Sequence, residues 1–172
     1  MPLRYLTCSL VALLCCVSIG FSQSKEQVYA GVIFHIMKYV EWPEVGNTMT
    51  VGVLNDNQLT AALNKVAADK KIVFRNIEVV KFSDLSKLKN TNVLFVPKKM
   101  TVYLADIANS VDAKQILVIS EKKGEDQDGA SINFIEQSGK LRFEVYEEVF
   151  TRTDLKMSEH LKKFAIIKVK AS

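Results

Sequence analysis

Few side chains in this sequence have the type and spacing that chemistry requires. The two histidines, His35 and His160, lie far apart in the chain, and neither has a partner histidine at the short spacing of a metal-binding motif. His35 falls in an apolar helical pattern and is expected at the rim of the core, whereas His160 falls in a lysine-rich segment and is expected to be solvated. No serine-hydrolase elbow, zinc-protease motif or glycine-rich phosphate loop occurs. The sequence therefore predicts no catalytic centre, no cofactor and no metal.

Carboxylates are the remaining candidates for chemistry. Glu41 and Glu44 lie in one predicted turn, but two carboxylates in a turn do not form an acid–base pair without a cleft. Three acids within residues 125–128 invite a calcium site, yet they lack the regularly spaced oxygen ligands of a calcium loop. We therefore expect a solvated loop there, and we expect the protein not to be an enzyme.

Trp42 is conspicuous because it is the only tryptophan, and it stands just before Pro43 at the end of an apolar helical segment. It either closes the end of the core or forms an exposed anchor for a partner, since tryptophan is enriched in binding hot spots. The basic C-terminal segment either meets an acidic partner or anionic lipid, or is simply a solvated face. The residues predicted to contact a partner are Glu41, Trp42, Lys162 and Lys163.

The N-terminal segment, residues 1–22, differs in character from the rest. An uncharged apolar run from Leu6 to Phe21 follows one basic residue and ends in small residues. This pattern predicts a secretory signal peptide that is cleaved near Ser22. The alternatives are an uncleaved membrane anchor and a lipoprotein acylated at Cys15 or Cys16.

The remaining chain, residues 23–172, is predicted to be one domain. All three cysteines lie in the N-terminal segment, so the mature chain has no thiol for a disulfide, a redox switch or a thiolate metal site. The net charge of the whole chain is only +4. Binding of nucleic acid normally demands a clustered basic face, so we expect no nucleic-acid partner.

The hydrophobic pattern predicts alternating helices and strands. Ser24 and Gln27 have the form of a capping box, and the helix that follows repeats apolar residues every four positions and must end before Pro43. The later predicted elements are strands at 49–54, 72–74, 77–80, 92–96 and 115–119, and helices at 59–68 and 102–108. The runs at 92–96 and 115–119 are continuously apolar, which is typical of strands covered on both faces.

A hairpin near the C-terminus is the best-specified element. Apolar residues alternate with polar ones in 132–135 and 141–145, and the polar link Gln137–Lys140 contains a glycine. Helical segments are predicted at 147–153 and 158–164. Together the pattern predicts an α/β fold, a single-domain three-layer sandwich whose mixed β-sheet is flanked by helices and which closes with the antiparallel hairpin and a C-terminal helical segment.

Three segments of the sequence resemble the YfiR-like family of exported bacterial proteins. Lys38–Pro43 is similar to the family's first-helix ending, aromatic–hydrophobic–Glu–Trp–Pro. Gly129–Ile135 and Leu141–Val145 are similar to its hairpin motifs Gly-Gly-Met-Ile-Asn-Phe and Arg-Phe-Glu-Ile, with Ala130 in place of the second glycine. Leu155–Phe164 is similar to its Leu-Lys-Ile-Ser-x-x-Leu-Leu tail.

The resemblance implies an α/β sandwich in the periplasm that acts without catalysis. The family's characterised namesake binds the periplasmic sensor domain of an inner-membrane diguanylate cyclase and represses it. The implied partner is therefore an inner-membrane signalling protein, either a cyclase or another receptor such as a sensor kinase, and a homodimer stays open. The disulfides of better-known members have no counterpart in this mature chain. The alternative function is a periplasmic module that binds a small molecule or a cell-wall fragment.

Overall fold

The part of the chain that the computed structural model describes comprises residues 23–43, 46–69, 75–88, 90–109, 115–121 and 129–168. The predicted signal peptide, Glu44, the strand predicted at 72–74 and the acids at 125–128 lie outside these residues. No helix in the described part is both long enough and apolar enough to cross a membrane.

Helices and strands alternate along the chain, as the hydrophobic pattern predicted. In chain order the elements are α1 (Lys25–Lys38), β1 (Val40–Glu41), β2 (Thr48–Leu54), α2 (Asn57–Asp69), β3 (Asn76–Phe82), β4 (Val93–Val96), α3 (Leu104–Ala108), β5 (Leu117–Ser120), β6 (Ile132–Gln137), β7 (Lys140–Tyr146), α4 (Glu147–Thr151), β8 (Lys156–Met157), α5 (Glu159–Phe164) and β9 (Ile166–Lys168). A 3₁₀ helix, Leu85–Lys87, precedes β4, and another, Lys98–Tyr103, precedes α3.

One mixed sheet of seven strands forms the centre of the fold, in the order β3-β2-β4-β5-β6-β7-β9. Neighbouring strands are parallel except for the β6–β7 hairpin, which is antiparallel. Every residue of β4 and β5 is buried, as expected for strands covered on both faces. The predicted α/β class with a mixed sheet and a closing antiparallel hairpin is confirmed.

Each face of the sheet carries its own hydrophobic core. Along β4, Val93 and Phe95 belong to one cluster and Leu94 and Val96 to the other, because successive side chains of a strand point to opposite faces. The buried residues of α1 and α2 share the first cluster, and those of α3 share the second. Helices therefore flank the sheet on both sides, which gives the three layers.

Helix α1 begins as predicted but ends earlier. The Ser24 hydroxyl accepts a hydrogen bond from the Gln27 N–H at 3.3 Å, and the Gln27 side chain accepts one from the Ser24 N–H at 3.2 Å, which confirms the capping box. The helix ends at Lys38, because Val40 and Glu41 instead pair with β8 in a small second sheet that the sequence did not predict. The buried face of α1 consists of Ala30, Ile33, Phe34, Ile36 and Met37.

The C-terminal third contains the predicted hairpin and an unpredicted strand. Ser138 and Gly139 form the two-residue turn, and both have positive φ (53° and 70°), as a hairpin turn that matches the strand twist requires. After α5 the chain adds β9, which pairs in parallel with β7. The helix predicted at 102–108 is an α-helix only from Leu104, because the preceding residues through Tyr103 form a 3₁₀ helix.

Candidate functional site

Four aromatic side chains form a cluster on the surface where α1 and α5 meet. This cluster, which we call the α1–α5 patch, consists of His35, Tyr39, His160 and Phe164. The ring centroids of Tyr39 and His160 are 4.2 Å apart, those of His35 and Tyr39 are 4.8 Å apart, and those of His160 and Phe164 are 5.1 Å apart. His35 and His160 are exposed, Tyr39 is partly exposed, and 53% of Phe164 is accessible to solvent. The fold thus presents a continuous group of rings to the solvent.

The small β1–β8 sheet holds the two sides of the patch together. The two residues of β1 pair antiparallel with the two residues of β8. The Ser158 N–H donates to the Tyr39 carbonyl at 3.1 Å, and the Ser158 hydroxyl accepts from the Leu161 N–H at 3.3 Å and so caps α5. Leu161 is fully buried in the core and anchors α5. The rings of the patch are therefore carried by elements whose relative position is fixed.

Local spacing explains how each helix contributes two rings. Residues four apart on a helix are neighbours on its surface, which brings His35 next to Tyr39 and His160 next to Phe164. Sequence reasoning considered the two histidines only one at a time and did not single out Tyr39 or Phe164. The two aromatic pairs at this spacing were the available signal, but nothing in the sequence indicated that they would meet.

A cavity of about 390 Å³ lies beside the patch. Its lining residues are Gly31, Val32, His35, Leu141, Arg142, Phe143 and Phe164. Most of the lining is apolar, whereas His35 and the exposed Arg142 are polar. A cavity of this kind suits a small group with an apolar body and a negative charge.

Trp42 lies half-buried just beyond α1. Its indole N–H donates to the Met37 carbonyl at 3.0 Å, and its ring packs against the first core cluster. The Met37 carbonyl belongs to the last turn of α1 and has no donor four residues ahead within the helix, so the indole supplies its partner. This position favours the interpretation that Trp42 closes the end of the core.

Trp42→Phe is expected to lower the free energy of unfolding by about 1 kcal/mol. The substitution removes the hydrogen bond to the Met37 carbonyl but keeps most of the apolar packing. Urea unfolding followed by circular dichroism measures the change. Tyr103→Phe is the control, since it removes a polar group from an exposed aromatic residue in the 3₁₀ helix before α3. Equal stability of the two variants would contradict the proposed role of the indole.

The other three predicted contact residues lie on the segments that the β1–β8 sheet joins. Glu41 is exposed in β1, and Lys163 is exposed in α5. Lys162 forms an ion pair with Glu159 at 2.7 Å, and this hydrogen-bonded contact raises the pKa of Lys162. Lys162 also lines a second cavity of about 200 Å³ with residues of α4 and β8. All four residues thus belong to the same two segments as the patch.

A separate polar cluster surrounds Glu121 at the carboxyl end of β5. Its carboxylate, only 12% exposed, accepts hydrogen bonds from Lys25 Nζ at 2.6 Å, from the Tyr29 hydroxyl at 2.9 Å and from the Lys98 N–H at 3.1 Å. These bonds tie the start of α1 to the ends of β4 and β5. The cluster therefore holds α1 on the sheet.

The Glu121 cluster changes the acidity of its donors. Burial and the negative charge of Glu121 raise the pKa of Tyr29 to about 12, because both disfavour the phenolate. Burial lowers the pKa of Lys25, but its hydrogen bond and ion pair with Glu121 outweigh that effect, so the net shift is upward.

We expect the protein to lose stability as the pH rises from about 10 to about 12. The pKa of Tyr29 is raised in the folded state, so its contribution is fully present below its ordinary pKa near 10 and is lost as the pH passes about 12. Tyr29 is only partly buried, so solvent screening reduces this contribution to about 1 kcal/mol. Urea unfolding across this range should show a smaller loss in Tyr29→Phe, and an equal loss would contradict the assignment.

The chain matches a known protein family over most of its length. A family model described as YfiR/HmsC-like matches residues 26–166, which extend from α1 to the first residue of β9. A search of the curated proteins gives no significant match. The matched range includes every residue of the patch, and every residue of the Glu121 cluster except Lys25.

Proposed function

Because the chain belongs to the YfiR/HmsC-like family, we propose that it is a periplasmic regulatory protein that binds the sensor domain of an inner-membrane signalling protein and represses it. The partner is of the diguanylate cyclase type, so the protein lowers the production of cyclic di-GMP. The signal peptide, residues 1–22, directs export and is cleaved near Ser22. The protein acts through contact and is not an enzyme.

The α1–α5 patch is the observation that carries this proposal. Interface hot spots are enriched in aromatic residues, which bury a large area on contact with few rotatable bonds. Phe164 in particular exposes an apolar ring that would gain free energy by leaving water. Exposed lysines flank the rings, since Lys38 lies over the Tyr39 ring at 5.6 Å and Lys163 precedes Phe164. The partner surface is therefore apolar with an acidic rim.

Repression by contact requires unequal binding to the two states of the sensor. A regulator shifts a conformational equilibrium only by the difference between its affinities for the inactive and active states. A hundredfold preference for the inactive state supplies about 2.7 kcal/mol. The patch is suited to this task because the β1–β8 sheet and Leu161 hold the two backbone segments that carry its rings in place. Little conformational entropy is then lost on binding.

Deletion of the gene tests the proposed function. We expect intracellular cyclic di-GMP to rise in the deletion strain and to return to its normal level when the full chain is restored. A chain without residues 1–22 should not restore it, because it would not reach the periplasm. Unchanged cyclic di-GMP after deletion would contradict the cyclase partner.

Site-specific crosslinking in intact cells tests the contact surface. A photoreactive side chain at Lys163, beside the patch, should capture an inner-membrane protein. The same group at Val102, which is 77% exposed in the 3₁₀ helix before α3, serves as the control and should not. Capture from Val102 alone would move the contact to the other layer of the fold.

The cavity beside the patch favours a second candidate function, the binding of a small molecule or a cell-wall fragment. Arg142 would pair with an anionic group while the apolar lining holds the rest of the ligand. A thermal-shift screen of envelope metabolites should then give a hit that Arg142→Gln weakens. A saturating ligand raises stability by several kcal/mol, so the absence of any shift would count against this function.

A further inference from the structure

The fold brings together the only two histidines of the chain. The ring centroids of His35 on α1 and His160 on α5 are 6.3 Å apart, and both side chains are exposed. Their distance along the sequence excluded a short metal-binding motif, but the structure supplies the proximity that the motif lacks. Among the described residues, no group of three or more histidine, cysteine, aspartate or glutamate side chains is arranged to hold a metal ion. A metal site at this pair would therefore have two ligands from the protein, one imidazole from each histidine.

The ring separation falls within the range that one metal ion can bridge. A histidine nitrogen binds zinc at about 2.0–2.1 Å, so the ion lies about 3.2 Å from the centroid of each ring. Two rings on one ion then have centroids about 5 Å apart at a tetrahedral angle and about 6.4 Å apart at a linear one. The observed 6.3 Å lies near the upper limit. A closing movement of about 1 Å reaches the tetrahedral geometry, and exposed side chains make such movements by small torsional changes.

We propose that His35 and His160 together bind one divalent transition-metal ion of the zinc or copper class. Imidazole nitrogens favour these ions, whereas magnesium and calcium favour oxygen ligands. Each imidazole has two nitrogens, so one can bind the ion while the other keeps a hydrogen bond. Water completes the coordination, because the site lies open on the surface.

The surroundings of the two rings support the proposal. The Tyr39 ring contacts both histidine rings, with centroid distances of 4.8 and 4.2 Å, and the Phe164 ring flanks them at 6.1 and 5.1 Å. These neighbours limit the orientations that the imidazoles can adopt and so reduce the entropy lost on chelation. The ion would join α1 to α5 directly. This inference does not rest on the proposed regulatory function, since metal binding needs no partner protein.

Calorimetric titration tests the site. The chain is purified as its host exports it, without an affinity tag, and is titrated with zinc chloride, with copper chloride and with magnesium chloride. We expect one zinc or copper ion per chain and no heat from magnesium. His35→Gln and His160→Gln should each weaken binding about tenfold or more, and the double variant should remove it. Lys163→Gln, a matched change at an exposed position of α5, should bind zinc and copper like the wild type.

The coordination itself is read from the copper complex. Electron paramagnetic resonance should show coupling to nitrogens of two imidazoles in the wild type and of one imidazole in either single variant. Circular dichroism confirms that each variant is folded. Binding that is unchanged in the double variant, equal binding of magnesium, or coupling to a single imidazole in the wild type would each overturn the proposal.

Discussion

Gly129→Ala is expected to lower the free energy of unfolding by about 3 kcal/mol, a large effect for the addition of one methyl group. Gly129 precedes β6 with a φ of +102°, a conformation that costs an L-residue about 1–2 kcal/mol. An added Cβ would also lie 2.3 Å from the Ala108 Cβ and 3.1 Å from the Leu104 carbonyl oxygen. Relief of such overpacking costs about 1–3 kcal/mol more, because α3 must move away from the sheet.

Two further variants separate the causes of this effect. Gly31→Ala is the control, since a Cβ at this helical position meets nothing within 4 Å and should raise stability by about 0.5–1 kcal/mol. Combining Gly129→Ala with Ala108→Gly removes the contact with the Ala108 Cβ but keeps the backbone strain and the approach to the Leu104 carbonyl oxygen. A double-mutant cycle therefore isolates the Cβ–Cβ contact. Urea unfolding followed by Trp42 fluorescence gives all the values. Wild-type stability of Gly129→Ala would show that neither the strain nor the contact exists.

The same geometry explains one feature of the hairpin motif. Gly129 occupies the first glycine position of the family motif, where the backbone conformation and the approach of α3 both require the absence of a side chain. The second position is Ala130, which is buried and belongs to the second core cluster. A methyl group is therefore accommodated there and contributes to packing.

Phe164→Asp is expected to weaken binding of the proposed membrane partner about a hundredfold or more, the largest expected effect on function. Aromatic anchors at the centre of an interface contribute about 2–4 kcal/mol, and a carboxylate in a desolvated contact adds a further penalty. Phe164 is 53% exposed, so the folded chain should remain stable. Titration of the partner's purified periplasmic domain measures the affinity. The level of cyclic di-GMP in complemented cells measures repression.

Val102→Asp provides the matched control for this prediction. It introduces the same charge in place of an exposed apolar residue, but in the 3₁₀ helix before α3, away from the patch. It should leave both affinity and repression at wild-type values. Equal losses in the two variants would indicate a general effect of charge, and wild-type binding of Phe164→Asp would exclude the patch as the contact.

The sequence by itself determined most of the fold, because the signals for helix caps, turns and buried strands depend on residues that are close together in the chain. The capping box at Ser24 satisfies backbone donors within one helical turn, and the turn at Gly139 needs residues that tolerate a positive φ. The apolar runs that became β4 and β5 could be stable only with both faces covered. Each signal depends on residues close together in the chain, so each could be interpreted without the tertiary structure.

Tertiary structure alone decided the candidate site. β1 has two residues and β9 three, which is too short for a periodic pattern, and β1 pairs with β8 in a remote part of the chain. The residues predicted to contact a partner lie in the same two segments as the patch, but the sequence did not single out the exposed rings of Tyr39 and Phe164. Tyr39 meets His160 only because the chain crosses the sheet several times before α5 returns to α1. Hydrophobic periodicity indicates which residues are buried. Which exposed side chains become neighbours on the surface depends instead on how the whole chain packs.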